Sequence, residues 1–230
     1  MTRSSKLIIT LLAGGLAAWA TLAPATVTPD EPHPVPIDPY IRSVIVGGWA
    51  FQAPAQTTWQ LAPGRTSIEF KIKHLVVMEV KGKFKKFEGN IVTTNQDFST
   101  ALVEVSIPVA SIHTGNQDRD THLLGDGFFG ADEYPHITFT STEFIKTGED
   151  TYTISGNLTI RDVTRPIELS ADYSGQKVIS GGKTRADFAI TGSLNRFDYG
   201  LRWNEVSEAG RVLVGETVTL IMNIALIKED

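Results

Sequence analysis

The stretch SIEFKIKHL, residues 67–75, decides the fold. Ile68, Phe70, Ile72 and His74 fall on one side of an extended chain, while Glu69, Lys71 and Lys73 fall on the other. Successive side chains of an extended backbone point to opposite faces, so a period of two with one apolar face describes a half-buried strand. ALVEVSIPVASI (101–112) repeats the pattern through Val103, Val105, Ile107 and Val109. TYTISGNLTI (151–160) does so through Tyr152, Ile154, Leu158 and Ile160, and TRPIELSADY (164–173) through Ile167, Leu169, Ala171 and Tyr173. Phe188, Ile190 and Leu194 alternate in ADFAITGSL (186–194), as do Val218, Leu220, Met222, Ile224 and Leu226 further on.

VKGKFKKFEGNIV (80–92) and HITFTSTEFI (136–145) bring the total to about eight strands, separated by turn-rich segments such as KTGEDT and YSGQKVISGGK. The phase slips between Phe84 and Phe87, which predicts a bulge near Lys85 and Lys86. Helical periodicity is confined to a short piece within residues 116–130, for which Asn116 or Asp118 is the candidate cap. Many antiparallel strands with one apolar face each form a sandwich or a closed barrel. A barrel of about eight strands is wide enough to hold one small or elongated ligand.

The chain has 230 residues, a formal net charge of -5 and no cysteine. An acidic balance argues against non-specific nucleic-acid binding, which relies on basic groups displacing counterions. Without cysteine there are no thiolate nucleophiles, disulfides or thiolate metal sites. MTRSSK, with Arg3 and Lys6, precedes a long uncharged run, and Ala23-Pro24-Ala25 supplies small residues suited to cleavage. Residues 1–25 are therefore expected to be a signal peptide, with an uncleaved N-terminal anchor as the alternative, since the uncharged run continues to Pro29. Both alternatives imply export, to the periplasm or the medium, or anchored and facing the periplasm. Residues 26–57 are expected to form a proline-rich linker followed by an apolar segment with Trp49 and Phe51. Residues 58–230 are the expected barrel domain.

Catalytic groupings are sparse. His33, His74, His113, His122 and His136 form no HxH or HExxH arrangement. His113, Asp118, Asp120 and His122 lie near one another in sequence, but neither a metal nor a cofactor is expected. TGSLN (191–195) lacks the second glycine of a nucleophile elbow, and Gly125, Gly127 and Gly130 are not framed by a strand and a helix. The cluster Asp118, Arg119, Asp120 and His122 has a structural reading, in which Arg119 bridges its neighbouring carboxylates and fixes a loop over one barrel end. Its functional reading has Arg119 or His122 meeting a ligand head group. Phe128 and Phe129 either plug the core or line a cavity. Lys71, Lys73, Lys81, Lys83, Lys85 and Lys86 read as a solvated outer face that discourages edge pairing. A surface contacting anionic membrane would use the same residues.

Several segments together resemble the YceI-like family of exported, lipocalin-like polyisoprenoid-binding proteins. They are SIEFKIKHLVVMEVKGKFKKFEGNI, SIHTGNQDRDTHLLGDGFFGADEYPHITFTST and GNLTIRDVTRPIEL, with NRFDYGL and VGETVTLIMNIAL. The resemblance covers roughly residues 58–228, and departs at Gly127, where members often carry a larger polar residue. It implies an all-β fold, an eight-stranded antiparallel lipocalin-like barrel with a short helical segment near residues 116–130. It further implies a long-chain amphiphile as partner, such as a polyisoprenoid, an isoprenoid quinone or a fatty amide.

The expected cavity residues are Phe70, Ile72, Phe84, Phe128, Phe139, Leu158 and Phe188, with Arg119, His122 and His74 at the polar end. The expected function is to hold a lipid for transport or storage, without catalysis. Two alternatives stand beside it: an enzyme using His122 on an apolar substrate, and a ligand-free envelope module filled by its own side chains. Barrel edges or residues 40–57 offer a route to a homodimer.

Overall fold

A computed structural model describes residues 55–62, 64–74, 78–94, 97–203 and 214–229. The expected signal or anchor segment, and the linker up to residue 54, lie outside the described residues. The strands are β1 (Thr57–Leu61), β2 (Ser67–His74), β3 (Met78–Phe84), β4 (Glu88–Thr93), β5 (Leu102–Pro108) and β6 (Ile112–His113). Helix α1 (Gln117–Leu124) follows, then β7 (His136–Lys146), β8 (Thr151–Ile160), β9 (Val163–Val178), β10 (Thr184–Asn195) and β11 (Val214–Lys228).

Each strand hydrogen-bonds its neighbours antiparallel in the order β1-β4-β5-β7-β8-β9-β10-β11, and β11 returns to β1. This is the closed eight-stranded antiparallel barrel that the resemblance implies, where the alternation alone left a sandwich open as well. β2, β3 and β6 lengthen three of its staves: β2 pairs β11 beyond β1, β3 pairs β2, and β6 pairs β3. Ring closure satisfies backbone groups that an open sheet would leave at its edges.

The phase slip near Lys85 and Lys86 is the break between β3 and β4. There the Lys85 N–H donates to the Ser111 carbonyl at 2.9 Å. The Ser111 hydroxyl reaches the Lys86 carbonyl at 3.1 Å and the Pro108 carbonyl at 2.7 Å, so one buried serine stitches the breaks of two staves. Val109, expected to continue the face of β5, instead occupies the 3-10 turn Val109–Ser111, where it is still buried.

Outside, Lys71 faces Lys81 and Glu69 faces Lys83 across the β2–β3 ladder. Like charges directly opposite repel. Glu79 offsets this by lying 3.5 Å from Lys71 and 3.8 Å from Lys81. Inside, the end of the barrel at β1 and the start of β10 is filled with rings. Phe98 lies 5.0 Å from both Trp59 and Phe188, and Phe188 lies 4.9 Å from Tyr173. Trp59 Nε1–H donates to the Thr93 hydroxyl at 3.2 Å, so the indole is buried with its polar atom satisfied. The opposite end is lined by α1, by Phe128 and Phe129, and by Arg196, Leu201 and Trp203.

Candidate functional site: an apolar lumen with a polar mouth

Between the aromatic end and α1 the barrel encloses a cavity of about 580 Å³. Its wall is built by the inward set of every stave, which is why strand alternation is enough to name most of it. Phe70, Ile72 and His74 reach it from β2, Phe84 from β3, Phe139 from β7, Leu158 from β8 and Phe188 from β10. Arg119 and His122 reach it from α1, and Phe128 from the segment beyond. All ten sequence-expected residues therefore share one cavity. Phe129 also lines it and packs edge-on against Phe84, with ring centroids 6.5 Å apart.

Polar groups on the wall collect at one end: His74, Thr114, Asn116, Asp118, Arg119, His122 and Arg196. We call this end the mouth. Helix α1 begins where the Asn116 side chain accepts the Arg119 N–H at 3.0 Å, a side-chain cap of the kind expected at this position. Asp120, one turn in, ties the helix back to the barrel. Its Oδ1 accepts the Thr114 N–H at 2.8 Å and the Thr114 hydroxyl at 2.6 Å, while Oδ2 lies 3.3 Å from His113 Nδ1. Burial pushes the Asp120 carboxyl up, but the hydrogen bonds from Thr114 and His113 outweigh it and hold the group below its usual range.

Arg119 corrects one expectation. It does not bridge neighbouring carboxylates: its Nε donates to the Thr114 hydroxyl at 2.8 Å and its Nη2 to the Thr114 carbonyl at 2.9 Å. Asp118 and Asp120 project from the first turn at different angles, and Thr114 is the acceptor within the guanidinium's reach. Among the described residues no group of three His, Asp or Glu converges as a metal site would require.

Three contributors to the mouth escaped the sequence reading. The Trp203 ring stands edge-on to His122 at 4.7 Å and tilts against Phe128 at 5.1 Å, and His122 itself meets Phe128 edge-on at 5.4 Å. The same indole passes 3.6 Å from where a Cβ on Gly127 would lie, so the departure at this position faces a ring of the mouth. Arg161, from the β8–β9 turn, donates to the Asp126 and Phe128 carbonyls at 3.1 and 3.0 Å and holds that loop from below.

Arg196 is the third. It is 2% exposed and donates to the carbonyls of Gly215, Leu201, Trp203 and Val214. Its ring neighbour is Phe197, 4.3 Å from the guanidinium carbon. Burial pushes its pKa down, with Glu216 opposing. The planar fork of an arginine can serve several acceptors at once, which an ammonium cannot do in the same geometry. The residues it gathers come from both sides of the β10–β11 connection, and all sit at the mouth.

Comparison with known proteins agrees with this architecture. The chain matches the YceI-like domain over residues 59–226. It belongs to the YceI-like family. A UPF0312 protein of Staphylococcus aureus (strain MSSA476) is 34% identical over 163 residues, covering 70% of this chain and 92% of that one. Among solved structures, the YceI protein of Campylobacter jejuni is 30% identical with a TM-score of 0.60, covering 70% of this chain and 91% of its own. BcnA of Burkholderia cenocepacia shares the fold at 18% identity and a TM-score of 0.62, covering 72% and 98%. A polyisoprenoid binding domain from Saccharophagus degradans shares it at 17% identity and a TM-score of 0.54, covering 73% and 97%.

Proposed function

We propose that this YceI-like barrel is an exported carrier that holds the apolar chain of an amphiphilic lipid in its lumen, with the head group at α1. The observation that carries the proposal is the segregation of the wall: aliphatic and aromatic from the Phe98 end upward, polar only at the mouth. Burying an alkyl or isoprenoid chain there gains about 0.8 kcal/mol per methylene from dehydration. A head group would find Asp118, Arg119 and His122 at the mouth. The fold shared with a domain described as polyisoprenoid binding supports a lipid of that class. Export is supported by the charged start, uncharged run and Ala23-Pro24-Ala25 of the sequence.

Native mass spectrometry of the protein purified from the membranes and envelope of its own host tests the carrier role. A reproducible adduct, lost on lipid extraction and regained with the extracted lipid, is the expected result. A lumen that yields no adduct and takes up no lipid would leave a ligand-free module as the better reading. N-terminal sequencing of the exported protein tests cleavage after Ala25.

A further inference from the structure

Residues 97–101, which lead into β5, lie at the barrel end opposite the mouth and turn one side chain inward. Phe98 sits there at φ 61° and is 1% exposed. A positive φ crowds the Cβ of an L residue, so a bulky aromatic at this conformation is strained and persists only where its surroundings over-determine it. They do so here. The Tyr152 hydroxyl donates to the Asp97 carbonyl, immediately before it. Asp97 Oδ1 accepts the Ser99 N–H at 3.1 Å and the Ser99 hydroxyl at 2.8 Å, and the Ala101 N–H closes the turn on the Phe98 carbonyl at 2.8 Å. The ring is wedged among Trp59, Tyr173 and Phe188, and its inner side is part of the lumen wall.

We infer that Phe98 is the floor of the lumen and sets the longest apolar chain that the barrel houses. The inference rests on the carrier reading above and deepens it by naming the residue that selects chain length. A lumen of about 580 Å³ accommodates roughly twenty methylene-sized groups, taking for each the ~30 Å³ that a water molecule occupies in the liquid. With the head group at Arg119 and His122, a chain that fills this volume ends against the Phe98 ring, which forms part of the wall. Carbons beyond that number stay outside, where they gain nothing from burial. Affinity therefore climbs with chain length, by up to about fourfold per methylene, and then levels off where the chain end meets the ring.

The test is competition by a homologous series of straight-chain fatty amides, bracketing the estimated length, against a bound fluorescent analogue. Wild type is expected to level off near the estimated length, and Phe98→Ala to level off several carbons later. Phe98→Gly serves as a second variant, because glycine removes the ring and also relaxes the positive φ. Phe139→Ala widens the middle of the lumen without opening its end, and is expected to change affinity across the series while moving the limit less than the Phe98 variants do. An unchanged limit in the Phe98 variants, or an equal shift in Phe139→Ala, overturns the floor assignment while leaving a carrier in place. Failure of wild type to bind any member overturns the floor assignment, while the carrier reading is decided separately by the native mass spectrometry above. On wild type alone, a fatty amide of limiting length with a terminal diazirine is expected to label Phe98 or its ring neighbours. Labelling confined to α1 would overturn the inference.

Discussion

The ring of Phe70 lies against the backbone of Gly82, its direct partner across the β2–β3 ladder. A Cβ at Gly82 would stand 2.7 and 2.8 Å from two of the ring carbons, closer than real contacts allow. Phe139 of β7 lies over Gly156 of β8, diagonally across the ladder from its direct partner Leu158. Two rings on the inner wall are thus laid flat by two missing side chains, which leaves the middle of the lumen open. Gly82→Ala is expected to swing Phe70 into the lumen, to lower lipid affinity, and to destabilise the fold by about 1–3 kcal/mol through overpacking. Adding Phe70→Leu should restore part of both losses, a coupling that a double-mutant cycle of urea melts and binding curves reads directly.

Arg196 makes a different prediction. Removing its guanidinium strands several buried carbonyl acceptors at once, and each unsatisfied group is costly. Arg196→Ala is expected to lose on the order of 3 kcal/mol or more. Arg196→Lys should recover only a part, since an ammonium does not reproduce the fork. Amide hydrogen exchange is expected to quicken first at residues 200–203 and 214–215, around the mouth. Uniform acceleration around the barrel would contradict this placement of the effect.

Asp120 gives the mouth a dependence on acid. Because its folded pKa lies below the unfolded carboxylate value of about 3.9, its bonds to Thr114 and His113 stabilise the fold above that value. The contribution is lost as pH falls through the depressed folded pKa. An acid titration followed by hydrogen exchange at residues 114–124 should show α1 loosening below about pH 4. In Asp120→Asn this step should vanish, with the segment looser at neutral pH from the outset.

Trp203 offers an optical readout of loading. It is half-buried beside His122 and Phe128, on the wall of the lumen at its mouth. A head group or upper chain lodged there displaces water from the indole, so lipid uptake should shift its emission to the blue. Trp203→Phe should abolish the shift while Trp59→Phe, at the far end, keeps it.

Much of this molecule is legible as period-two alternation. Ile68, Phe70 and Ile72, or Leu220, Met222 and Ile224, need only an extended backbone and one shared interior to fall on the wall together. A cap at Asn116 or Asp118 follows equally from local chemistry, and the structure selects Asn116. Phe98 does not: it sits in the polar stretch TTNQDFSTA, without periodicity, and turns inward only because the rings and hydroxyls of distant staves hold it. Arg196 and Trp203 share that character. A single arginine or tryptophan outside a strand carries no phase, and its partners come from carbonyls and rings that only the closed barrel brings near. The expected Arg119 bridge failed for the related reason that neighbours in sequence on a helix turn are not neighbours in direction.

β11 pairs with β10 along one side and with β2 and then β1 along the other, with Trp59 set opposite Lys228 at the seam. The first stave and the last are thus each other's neighbours, and no smaller part of the sheet is a ring. A chain emerging from the ribosome or a translocation pore can build hairpins in order, yet its wall stays open until β11 arrives to join both sides. Such late, long-range pairing makes folding slow relative to a helical protein of equal size. Until that moment the interior surface is exposed, so the interval before closure is when this barrel is most vulnerable to aggregation, and also when its lumen is widest to a lipid.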